Sequence, residues 1–147
     1  VKRSATSPSD VTIKSWTDDT IVPSHKFYLW ANSGYTSIAA APDVATSGSI
    51  AGSNGIALRF GAEDTGTIVD AVGWGEFQNA LFEGVALSGG LTAHQSYERK
   101  AFENGGCISA QGGGEPLGNG CDTNNNASDF ELRPQANPQN SQSAGEP

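Results

Sequence analysis

Apolar and polar positions alternate along this chain in short runs, and clusters of Gly, Pro, Asn and Asp cut the runs apart. That pattern predicts many short strands joined by turns, as in an all-β sandwich or barrel. Strands are expected at Val11–Trp16 (VTIKSW), at Lys26–Ala31 (KFYLWA, aromatic-rich and therefore central), at Gly55–Phe60 and at Gly66–Trp74. Further candidates are Leu81–Leu87, Gln95–Phe102 and Asp129–Arg133. A side-chain period of two puts Ile56, Leu58 and Phe60 on one face and Ala57 with Arg59 on the other. The same rule groups Ile68 with Asp70 and Val72, and Val69 with Ala71 and Gly73. The polar link GAEDTG between Phe60 and Thr67 predicts an antiparallel hairpin, and Asn–Gly pairs at 54–55, 104–105 and 119–120 predict tight turns. No 3.6-residue stripe longer than a few residues and no fixed-period repeat interrupts this picture. Residues 1–134 are read as the domain, and the Pro-, Gln- and Ser-rich residues 135–147 as a polar tail or linker leaving it.

Composition sharpens the reading. A chain of 147 residues suits one compact domain, and 19 glycines with an apolar fraction of only 36% favour turns and strands over helices. A formal charge of −8 repels phosphate backbones and anionic lipid, which argues against a nucleic-acid binder. No apolar run approaches the roughly 20 residues that span a bilayer, so membrane insertion is not expected. The chain opens at Val1 without an initiator methionine and reads as a processed or excised piece. Cys107 and Cys121 flank a glycine-rich segment without a CxxC pair or a nearby histidine, so a disulfide is expected rather than zinc. A bond closing a loop of about 15 residues contributes on the order of 3 kcal/mol and implies an oxidising, extracytoplasmic setting.

Candidate chemistry concentrates in CDTNNNASDFELRP. The oxygen-bearing residues Asp122, Asn124, Asn126 and Asp129 partly follow a calcium-loop spacing. Ala127 stands where the turn glycine belongs and no terminal glutamate follows, so calcium is the weaker reading, and no other cofactor is expected. The commoner alternative is that Asp122 caps one helical turn before Phe130 begins the last strand. Asn126–Ser128 fits the glycosylation sequon by chance in the same turn. His25 and His94 lack a nucleophile motif, and the pairs Asp18–Asp19 and Glu63–Asp64 sit in polar turns, so no catalytic constellation is expected. GGGEPLGNG lacks the Lys-Ser/Thr ending of a phosphate loop. Phe27, Tyr28, Trp30, Trp74, Phe77, Phe82 and Phe130 could form a stacking platform, but a core poor in aliphatics needs aromatics, so Trp74, Phe82 and Phe130 are expected in the core, and Tyr28, Trp30 and Tyr97 stay open between the two.

Taken together, LWANSGY, IALRFGAEDTGTIVDAVGWG, FEGVAL, QSYERK and CDTNNNASDFELRPQANPQNS resemble the bacterial branch of the lamin-tail domain family over roughly residues 1–140. The resemblance implies a small immunoglobulin-like antiparallel β-sandwich, and an appended, non-catalytic module of secreted or cell-surface proteins. Glu98 and Arg99 match the family's recurring pair and, with Asp70, are expected to fix strand register through hydrogen bonds. The strands that usually open the family have no counterpart here, which implies an open sheet edge. A strand from another copy, or the missing N-terminal strands themselves, would fill it.

The expectation is therefore a non-enzymatic extracellular or cell-surface module, joined by strand addition into an assembly or fibre. The alternative is an accessory domain that targets a secreted hydrolase or nuclease to carbohydrate or cell wall.

Overall fold

A computed structural model describes residues 1–36, 40–76 and 81–147. The fold is all-β: among the described residues it has nine short strands, one 3-10 turn at Gly112–Leu117 and a single helical turn, α1, at Asn126–Asp129. The strands are β1 (Lys2–Ser4), β2 (Trp30–Asn32), β3 (Val44–Thr46), β4 (Asn54–Phe60), β5 (Thr67–Trp74), β6 (Ser96–Arg99), β7 (Ala101–Glu103), β8 (Gly106–Ile108) and β9 (Phe130–Arg133). They form a three-stranded sheet in the order β1-β4-β5 and three two-stranded pairs, β2-β3, β6-β9 and β7-β8. Between the named strands every pairing is antiparallel except β2-β3, which is parallel and departs from the all-antiparallel expectation.

The hairpin β4-β5 forms around GAEDTG as its pattern predicts. Its register shifts between Leu58 and Arg59: Leu58 faces Asp70, but Arg59 faces Ile68. Val69 is the extra residue of a bulge, so Ile68 does not continue the Asp70–Val72 row that simple alternation assigned to it.

Several expected strands give way to side chains that capture backbone N–H groups. In the run 11–16 only Val11 pairs, with Lys2, because the Glu63 carboxylate takes the N–H and hydroxyl of Thr12. The run 26–31 begins pairing at Trp30 and lies in the small β2-β3 sheet rather than centrally, since the Leu29 N–H donates to Asp43. The run 81–87 is not a strand: Gly84 turns through a positive φ of 56°, and only Leu87 bridges, in parallel, to Trp74. The run 95–102 divides at Lys100, whose N–H donates to Asp129 O while its carbonyl accepts from Cys121.

Asn54–Gly55, expected as a turn, opens β4 instead. Gly55 pairs with Gly73 across the hairpin, and the backbone of Leu81 lies on both. A Cβ on Gly55 would stand 2.2 Å from Leu81 O, and one on Gly73 would stand 2.6 Å from it. This close approach builds the core of Ala57, Ala71 and Leu81, against which Val1 packs. Phe82, expected in the core, is 39% exposed, while Trp74 and Phe130 are half-buried. Among the described residues the largest fully buried side chains are Asn54, Asn126, Asp10, Asp129 and Cys121. The interior is thus closed by small residues and polar clasps rather than by large aliphatics.

The segment 135–147 is tied back to the body. Glu146 N–H donates to His25 O, the Glu146 carboxylate accepts from Asn119 N–H, Lys26 Nζ donates to Ser143 O, and Ser141 donates to Asp43. Phe77 lies outside the described residues.

Candidate functional site

The alternation of β4 sets its two faces apart. Ala57 and Arg59 turn inward, where Arg59 Nη2 lies 2.6 Å from the buried carboxylate of Asp10, which Arg3 Nε also meets at 2.5 Å. Leu58 and Phe60 turn outward, 54% and 82% exposed. They line, with Ile56 and Val72, a groove of about 1010 Å³ whose wall also includes Trp16, Ile21 and Trp30. Glu63 anchors that wall through Thr12, and these hydrogen bonds hold the Glu63 pKa below its ordinary value. Trp16, one of the lining residues, meets Tyr28 edge to face at 5.8 Å.

Beside the groove runs the outer edge of β5. Over residues 71–75 it is closed: Asn126 Nδ2–H donates to Ala71 O at 2.9 Å, Asn126 Oδ1 accepts from Gly73 N–H at 3.0 Å, and Leu87 exchanges backbone bonds with Gly73 and Gly75. Over Thr67–Asp70 no backbone hydrogen bond closes that side among the described residues. Ile68 and Val69 are exposed there.

The acidic loop before β9 serves mainly as a clasp. Of the four residues assigned to calcium, Asn126 is sealed, its oxygen also accepting from Glu83 N–H at 3.2 Å. The same burial leaves no room for a glycan at the sequon. Asp129, equally buried, accepts from Thr123 N–H at 3.0 Å, Thr123 Oγ1–H at 2.6 Å and Asn125 N–H at 3.1 Å. Burial opposes its ionisation, yet these bonds hold its pKa below 3.8. Asp122, expected to cap the helical turn, accepts the Asn124 N–H instead, and Asn124 adopts a positive φ of 56°. The stabilising carboxylate of this loop is therefore Asp129, reaching back from the end of the turn. Oxygens of Glu83, Asp122 and Asp129 lie within 4.8 Å of one another, and these are the residues placed to hold a divalent cation. Burial and then the charges of Asp70 and Asp122 push the Glu83 pKa up. Arg99 already supplies positive charge to the cluster, with Nη1 3.9 Å from Asp122.

Arg99 joins elements. Its Nη2 donates to both oxygens of Asp70 on β5 at 2.9 and 2.7 Å, its Nη1 donates to Cys121 O, and its guanidinium carbon lies 4.5 Å from the Phe130 ring centroid. Glu98 pairs with Arg133 on β9 at 2.8 Å. Cys107 and Cys121 form a disulfide, with Cα atoms 5.4 Å apart. Such a bond suits a non-reducing compartment, and among the described residues no helix is long and apolar enough to cross a membrane. His25 and His94 stand on exposed turns, and His25 Nδ1 lies 2.8 Å from Pro147 O.

Sequence reasoning did not single out Asp10, Glu83 or the outward turn of Leu58 and Phe60. A lone Asp in a Ser-rich stretch carries no local signal of two distant arginines, and alternation separates two faces without telling which is buried. No protein-family model, no curated protein and no solved structure matches this chain.

Proposed function

We propose that this chain is a non-enzymatic, extracellular structural module of lamin-tail-like, immunoglobulin-like type, and that copies of it join by strand addition at the outer edge of β5. The observation that carries this reading is the open Thr67–Asp70 edge beside the exposed row Leu58 and Phe60. Sheet edges are ordinarily blunted with Lys, Pro or a cover, because unpaired N–H and C=O groups recruit other strands. This edge presents Ile68 and Val69 instead, and its bulge at Val69 only twists it. A twofold pairing of β5 with its counterpart extends two three-stranded sheets into one of six and brings the two apolar faces together. The disulfide supports the extracellular setting, and the short strands and polar interior agree with a module whose sandwich is completed by association.

Light scattering across a concentration series tests this. The expected result is a mass that rises from one chain towards two or more; a strictly monomeric mass at every concentration would sink the proposal. A second reading, an accessory domain of a secreted hydrolase or nuclease that targets carbohydrate or cell wall, draws on Trp16, which is exposed, lines the groove and meets half-buried Tyr28 edge to face. Glycan-array binding that is lost in Trp16→Ala would favour it over self-association.

A further inference from the structure

The three Asn–Gly steps of this chain stand in three different settings, and their chemistry diverges accordingly. An asparagine followed by glycine can lose its amide without an enzyme. The glycine nitrogen attacks the side-chain Cγ, a five-membered succinimide closes and ammonia leaves. Water then opens the ring at either carbonyl, giving aspartate or isoaspartate. The reaction needs a backbone N–H not held in a hydrogen bond, a side-chain amide free to swing, and no Cβ crowding the attacking nitrogen.

At 54–55 the glycine leaves no Cβ in the way, but the other two are denied. Asn54 is 0% exposed, Gly55 lies between β1 and β5 in the sheet, and the Leu81 backbone rests on it. At 119–120 the groups are occupied: Asn119 N–H donates to Glu146 Oε2 at 2.8 Å, Asn119 Nδ2 donates to Glu98 Oε1 at 3.3 Å, and Gly120 N–H donates to Gly118 O at 3.1 Å. At 104–105 the step forms the tip of the β7-β8 hairpin, with φ of 50° at Asn104 and 83° at Gly105, the turn that right-twisted strands favour. Asn104 is exposed, space around Gly105 is open, and neither the Asn104 amide nor the Gly105 N–H is engaged among the described residues.

We infer that Asn104 is the site at which this protein deamidates, through a succinimide with Gly105 and with water as the co-reactant. The product places a carboxylate one residue from Glu103, and its isoaspartate form inserts a methylene into the backbone of a two-residue turn. The hairpin that carries Cys107 is loosened as a result.

The test is peptide mapping by mass spectrometry of the intact, disulfide-bonded chain after warm incubation at mildly alkaline pH. The folded chain is expected to lose the Asn104 amide first, yielding both aspartate and isoaspartate, while Asn54 and Asn119 keep theirs. The denatured chain should lose all three. Gly105→Ala should suppress the loss at Asn104; should that variant misfold, the rank order of the three sites in folded against denatured wild type decides alone. Retention of the Asn104 amide for as long as that of Asn54, a lead by Asn119, or aspartate without isoaspartate would overturn the inference.

Discussion

Asn126, Asp10 and Asp129 do what large aliphatics do in an ordinary core. One Asn126 side chain satisfies Ala71 O, Gly73 N–H and Glu83 N–H, so it closes a strand edge and fastens the neighbouring segment at once. Removing it in Asn126→Ala strands buried backbone groups, at about 1–3 kcal/mol each, and chemical denaturation should show a loss in at least that range. Asp10→Ala leaves two arginines facing one another without their carboxylate. Loss of one partner of a buried pair costs about 3–5 kcal/mol, read by the same measurement. For Asp129 the folded pKa lies below the unfolded value near 3.8. Its stabilisation is therefore present above pH 3.8 and is lost as pH falls through the folded value. Glu83 has the opposite sign: its raised pKa means that the protonated form stabilises the fold, and this contribution fades as pH rises from 4.5 through the folded value. Melting temperatures of wild type and Asp129→Asn should consequently converge as the solution is acidified below pH 3.8; a gap that stays constant would contradict the role of Asp129.

At the scale of elements, the paired glycines of β4 and β5 let the Leu81 backbone lie directly on the hairpin. Gly55→Ala forces a Cβ into that backbone, so it should destabilise by more than the roughly 1 kcal/mol typical of a substitution, whereas Gly52→Ala, which meets nothing, should not. Reduction of Cys107–Cys121 should lower the unfolding free energy by about 3 kcal/mol in the chain-entropy view, read by denaturation with and without reductant. The β4-β5 hairpin, the last strand β9 and the Asn104–Gly105 turn were legible, because alternation and turn residues act locally. The runs 11–16 and 81–87 misled for a different reason. Their periodicity is real, but Glu63 and Asn126, distant in sequence, claim the N–H groups that a strand would have used. Asn54–Gly55 misled because the same glycine that permits a turn also permits a close backbone crossing. In the candidate site, the alternation of Ile56, Leu58 and Phe60 was visible, while its outward orientation depends on Arg59 reaching Asp10 on the other face.

At the scale of the molecule, polar clasps hold one side of the sheet and leave the aliphatic side and the Thr67–Asp70 edge to face outward. Leu58 and Phe60 are exposed in the single chain and Leu58 faces Asp70, so Leu58→Lys with Phe60→Lys should change its own stability little, within about 0.5 kcal/mol per site. The same changes should abolish association. The most direct measurement is amide hydrogen exchange at Thr67–Asp70 as a function of protein concentration, in wild type and in that double variant. Strand addition predicts protection that rises with concentration in wild type and is absent in the variant; exchange that is fast and independent of concentration in both would contradict it.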